Sequence, residues 1–156
     1  MKEFIWILVV ILGLGLCYPL YLYVRMKISK RKITSVLNKI RNQVDFKHSL
    51  LKEYVEINKD VIDEDKYMEI EHQLTYYCAN KDNTVGDLKK LNEIYAAYMI
   101  EFNDGLLKRK CNESEEYITN MKEQYNSLVK GYNEYKSYKV NAILSKVMFI
   151  KDENIF

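Results

Sequence analysis

The feature that most constrains this chain is a run from Phe4 to Val24 without a single charged residue. A helix over that run would be about 31 Å long, close to the roughly 30 Å hydrocarbon core of a bilayer. It therefore reads as a transmembrane helix and divides the 156 residues into an extracytoplasmic tail (1–3), the span (4–24) and one cytoplasmic domain (25–156). A cleavable signal peptide would have a shorter apolar core followed by a small-x-small site, and neither condition is met. A lipoprotein would carry a small residue before the modified cysteine, whereas Leu16 precedes Cys17. Pro19 is tolerable near an interface, and Tyr18, Tyr21 and Tyr23 suit the headgroup level.

Charge gives the expected orientation. Only Lys2 lies before the run on the basic side, while Arg25, Lys27, Lys30, Arg31, Lys32, Lys39, Arg41 and Lys47 follow it against one acid, Asp45. The positive-inside rule then puts the amino terminus outside and the bulk of a single-pass cell-membrane protein in the cytoplasm. From His48 onward there are 15 basic and 20 acidic residues, so the positive charge is confined to the stretch leaving the span. Arg25, Lys27, Lys30, Arg31 and Lys32 are accordingly candidate contacts for a lipid bilayer with anionic headgroups, at about 1 kcal/mol each near the surface. Nucleic acid is the disfavoured reader of the same patch.

Five Gly and one Pro are too few for the turns of an all-β domain, so the expectation is all-α. No Pro or Gly occurs between Pro19 and Gly86, and Ile33, Val36, Leu37, Ile40, Val44, Leu51, Tyr54, Val55 and Val61 or Ile62 fall on one helical face. The spacing predicts a first helix from Phe4 to Ile62. Asp63, Glu64 and Asp65 open a second, with the stripe Tyr67, Ile70, Leu74, Tyr77 and Cys78, and Asn80 to Asn83 form a turn. Thr84 with Asp87 suggests a cap for a third, whose stripe is Leu88, Leu91, Tyr95, Tyr98, Met99 and Phe102, ended by Gly105 or carried one turn further by Leu106 and Leu107. Asn112 with Glu115 suggests the start of a fourth, bearing Tyr117, Ile118, Met121, Tyr125, Leu128, Val129, Tyr132 and Tyr135. Short connections predict an antiparallel up-down four-helix bundle whose first helix doubles as the anchor. Val140 to Ile150 is too apolar to be left in water. It is expected near the basic stretch Lys27 to Lys39, docked on the bundle or on the bilayer, shielding Ile28 and Ile33 with Lys139 and Lys146 turned to headgroups.

Candidate chemistry is sparse. Glu69-x-x-His72 and Asp45-x-x-His48 have the carboxylate-x-x-His spacing of helical-bundle metal sites. Helical geometry turns Glu69, His72 and Asp45 away from the apolar stripes, so a metal-binding protein or enzyme is the lesser alternative, and His48 reads as a boundary residue with a local partner. Cys17, Cys78 and Cys111 have no metal or redox spacing, and there is no phosphate loop, nucleophile elbow or HExxH. No catalytic residue, metal site or cofactor is assigned. The fourteen tyrosines read as core with hydroxyls at the rim. Phe46 falls outside the stripe and is a candidate partner surface.

The run Ile40-Arg41-Asn42-Gln43-Val44, then His48-Ser49-Leu50-Leu51, then Val55-Glu56 resembles the LemA family's Ile-Asp-x-Gln-Leu, His-Asp-Leu-Ile and Val-Glu elements. Tyr125-Asn126 followed by Tyr132-Asn133 is similar to that family's doubled Tyr-Asn in its last helix. Lys52 stands where a proline is usual, and Lys139-Val140 where Phe-Pro is usual. The resemblance implies a helical-bundle domain on the cytoplasmic face of a bacterial membrane, and no defined activity. The functional expectation is an interaction or scaffold module with an unidentified protein partner, its homo-oligomeric state left open.

Overall fold

A computed structural model describes residues 2–58, 60, 62–79, 85–99 and 105–156, with side chains at 13, 15 and from 17 onward except 66, 73, 74, 77–79, 87, 91, 97 and 99. The described residues form five helices and no strand: α1 (Lys2–Ile57), α2 (Glu64–Ala79), α3 (Val85–Met99), α4 (Gly105–Ser137) and α5 (Lys139–Val147). The all-α expectation thus stands, but the expected four helices become five. The first helix ends at Ile57 instead of Ile62. Gly105 opens α4 instead of closing α3, so Asn112 and Glu115 lie inside a helix already running and cap nothing. The turn at 80–83, the Thr84 cap, the Val61 and Phe102 positions and the side chains of Leu74, Tyr77, Cys78, Leu91 and Met99 lie outside the described residues.

The expected transmembrane span is corrected. Among the described residues no helix is long and apolar enough to cross a membrane. The single-pass placement, with its amino terminus outside and its bulk cytoplasmic, therefore loses its basis. The last third of the run is diluted by Tyr18, Pro19, Tyr21 and Tyr23, which carry polar groups or low hydropathy. Leu22 is fully buried, and the Tyr18 hydroxyl donates to Asn141 Oδ1 at 2.6 Å.

The chain divides into two compact units, residues 1–35 with 127–155 and residues 36–126 with Phe156, the boundaries falling inside α1 and α4. In unit 2 the core comes from α1 (Val36, Ile40, Val44, Leu51, Val55), α2 (Ile70), α3 (Leu88, Tyr95) and α4 (Leu107, Cys111, Ile118, Tyr125). Steps of three and four put these on one face of each helix, and each large aliphatic side chain contributes about 1.5–3 kcal/mol. Phe156 closes this unit, its ring edge-on to Tyr125 at 5.9 Å and its amide donating to Asn126 Oδ1 at 2.8 Å.

In unit 1, α1 packs Leu22, Met26 and Ile33, and α4 contributes Val129 and Tyr132. The segment after α5 is pinned at its backbone: Asn133 Nδ2 donates to the Glu153 carbonyl at 3.0 Å while the Glu153 amide donates to Asn133 Oδ1 at 3.2 Å. The doubled Tyr-Asn thus has one physical role at each copy, a buried tyrosine followed by an asparagine that holds the terminal backbone.

α5 ends in a Schellman arrangement, with the Ile150 amide bonded to the Ser145 carbonyl and the Phe149 amide to that of Lys146. The residue that takes the left-handed conformation is Phe149, at φ 53°. Glycine is the usual occupant, and a side chain there costs about 1–2 kcal/mol.

Candidate functional site

Two polar constellations stand out, one sealed and one open. The sealed one lies in unit 2. Lys47 continues the buried series Ile40, Val44, Lys47, Leu51 of α1 and is wholly buried. Its ammonium donates to Asn92 Oδ1 of α3 at 2.8 Å and pairs with Glu115 Oε1 of α4. Lys47, counted in the sequence with the basic stretch that follows the uncharged run, is thus separated from it, because helical spacing puts it in the seam. Beside it His48 Nδ1 lies 3.2 Å from the Tyr95 hydroxyl, so its partner comes from another helix. Burial lowers the His48 pKa, with Asp45 opposing and Lys52 assisting. Burial raises that of the Cys111 thiol, which keeps it protonated and unreactive. Ser114 is buried, and among the described residues its hydroxyl finds no partner. An ion pair of this kind fixes which helix faces meet, and nothing solvent-borne reaches its lysine.

The open constellation lies in unit 1. α5 is inverted: it buries Asn141 and Ser145, while Val140, Ile143 and Val147 on the opposite side are 59–69% exposed. Asn141 makes the inward face viable by accepting from Tyr18 and donating to the Tyr135 carbonyl at 2.8 Å. The tail lies against α1 near Lys27 and Lys30, as expected, through Asn141 and through Met148 and Ile150, which share a cavity with Met26, but Val140, Ile143 and Val147 face away and do not shield α1. Ile28 stays half exposed, and Ile33 is buried. α1 adds its own exposed Leu20, Tyr21, Val24 and Ile28 to the apolar surface of this unit.

The five expected contact residues are all exposed. Three of them are organised by neighbours. Arg25 lies 4.1 Å from the Tyr135 ring centroid and donates to the Tyr21 hydroxyl at 3.1 Å. Lys27 lies 5.8 Å from the Tyr23 ring. Lys30 pairs with Glu153 at 2.8 Å, a bond that raises its pKa. Lys27 and Lys30 border a cavity of about 320 Å³ whose other walls include Met26, Tyr132, Met148 and Lys151. The Tyr132 hydroxyl donates to the Lys151 carbonyl at 3.3 Å, and burial raises its pKa.

Phe46 is exposed, as are Asp45, Glu69 and His72. Among the described residues no group of three or more His, Cys, Asp or Glu is placed to hold a metal. Neither Lys47, Asn92 and Asn141 nor the cavity stands out in the sequence, and Glu115 reads there only as a capping residue. For Lys47 a usable signal existed, since it occupies a seam position between Val44 and Leu51. Comparison with known proteins gives no further lead: no family model, curated protein or solved structure matches the chain.

Proposed function

We propose that the protein is an interaction module and not an enzyme, and that unit 1 docks from one side on an anionic lipid surface without crossing it. The observation that carries this reading is the inverted α5, whose apolar side is left exposed by the described residues. A short helix with Val140, Ile143 and Val147 outward and Lys139 and Lys146 among them has the pattern of an interfacial helix. Arg25 and Lys27, exposed on α1 of the same unit, add attraction to anionic headgroups. A relation to LemA-like helical proteins is part of the proposal, supported by the buried Ile40, Val44, Leu51 and Val55 and by the paired asparagines Asn126 and Asn133.

The test is co-sedimentation of the full chain with phosphatidylglycerol or phosphatidylcholine vesicles. Binding to the anionic vesicles alone, weakened by salt and by V140S/I143S, is expected. Equal binding by V140S/I143S, or capture of a protein by the same face with no vesicle binding, would replace the lipid surface with another partner.

A further inference from the structure

We propose that the cavity of unit 1 seats one small anionic amphiphile, a singly charged head on a short apolar body. At about 320 Å³ it lies at the lower end of the range for small-molecule sites, enough for one short chain or ring. Its walls divide by chemistry. Met26, Met148 and Ile150 offer a polarisable apolar lining, while Lys27, Lys30 and Lys151 bring three positive charges. Among the described residues the one acid in an ion pair with any of these lysines is Glu153, which takes Lys30. Lys27 and Lys151 are left as an excess of two positive charges beside an apolar wall. Such a site favours an anion over a neutral molecule, and an anion with an apolar body over a bare one.

Phe149 is a second, independent observation. It holds the left-handed position at the end of α5, which glycine would occupy without strain, and its ring is 88% exposed. The two Schellman hydrogen bonds hold that conformation, which a glycine would satisfy equally, and the residue lines the cavity. A bound apolar body would cover the ring, and left-handed side chains concentrate where a site needs them.

The inference does not rest on lipid docking, since it concerns a molecule bound in solution. The experiment is calorimetric titration of the full chain with sodium decanoate below its micellar concentration, with decanol and inorganic phosphate as controls that each lack half of the ligand. Saturable binding of one decanoate per chain is expected, weakened about tenfold or more in K27Q/K151Q, with decanol and phosphate both weaker. F149G should weaken decanoate while raising the unfolding midpoint, a combination that a merely structural Phe149 would not give. Dihexanoyl phosphatidylglycerol, titrated as a monomer, identifies the source: tighter binding than decanoate assigns a lipid headgroup, weaker binding a free amphiphile. The proposal is overturned if no saturable binding occurs, if K27Q/K151Q or F149G binds decanoate as the parent does, or if phosphate alone binds as well. No vesicle enters the titration, so failure here and failure of the docking reading are separate results.

Discussion

The stretch of α1 in unit 2 and the α5 helix of unit 1 both carry an amphipathic pattern, and they orient it oppositely. From Val36 to Val55, α1 turns its aliphatic side chains inward and leaves Asp45, Phe46 and Lys52 in solvent. α5 turns Asn141 and Ser145 inward and leaves Val140, Ile143 and Val147 outside. The difference teaches that an amphipathic period fixes which residues share a face, while the sign of that face depends on what the neighbouring helix offers. α1 offers α5 the Tyr18 hydroxyl, so a polar face is the one that docks.

The comparison can be broken most forcefully at Lys47, which among the described residues is the one charge on the otherwise aliphatic buried face of α1. Lys47→Ala removes a fully buried side chain, leaving a cavity beside Glu115 and Asn92, and is expected to cost about 2–5 kcal/mol, read from urea unfolding. Lys47→Met, of similar length, should cost clearly less. An Ala variant as stable as the parent would mean that the pair does not hold the helices. On the opposite side of the comparison, Asn141→Ala removes two hydrogen bonds from the inner face of α5 and should cost about 1–3 kcal/mol.

Phe149→Gly is expected to act in the other direction, stabilising the chain by about 1 kcal/mol by relieving the left-handed side chain. His48 supplies a pH test of unit 2. Its folded pKa lies below the ordinary 6.5 because of burial, so the folded state binds fewer protons than the unfolded chain in that region. Stability is therefore present above pH 6.5 and is lost as pH falls through the folded pKa. His48→Gln should flatten that part of the curve of unfolding midpoint against pH. The smallest expected effect belongs to V140S/I143S, within about 0.5 kcal/mol, because those side chains already face solvent.

The helical class and most of the unit 2 core were legible because Ile40, Val44, Leu51, Ile118 and Tyr125 recur at steps that one helix face collects. Helix boundaries were less so: Asn112 and Glu115 have capping chemistry, but a cap works only where a helix starts, and α4 starts at Gly105. The membrane-spanning reading counted the uncharged run alone, and a count of charges does not reveal that Leu22 is buried or that Tyr18 bonds to Asn141, 123 positions away. The cavity was not legible because Lys27 and Lys151 are 124 positions apart and meet only through the fold. Lys47 was readable in part. Its spacing placed it in the seam, but the residues that make a buried lysine tolerable, Asn92 and Glu115, come from two other helices.

The inverted orientation of α5 is tested most directly by thiol labelling on a full chain with Cys17, Cys78 and Cys111 replaced by alanine. Ile143→Cys should react rapidly with a polar maleimide and become protected on binding phosphatidylglycerol vesicles, while Ser145→Cys should stay unreactive throughout. Rapid labelling of Ser145→Cys together with a protected Ile143→Cys in the free protein would show that α5 buries its apolar face after all, and would contradict the account.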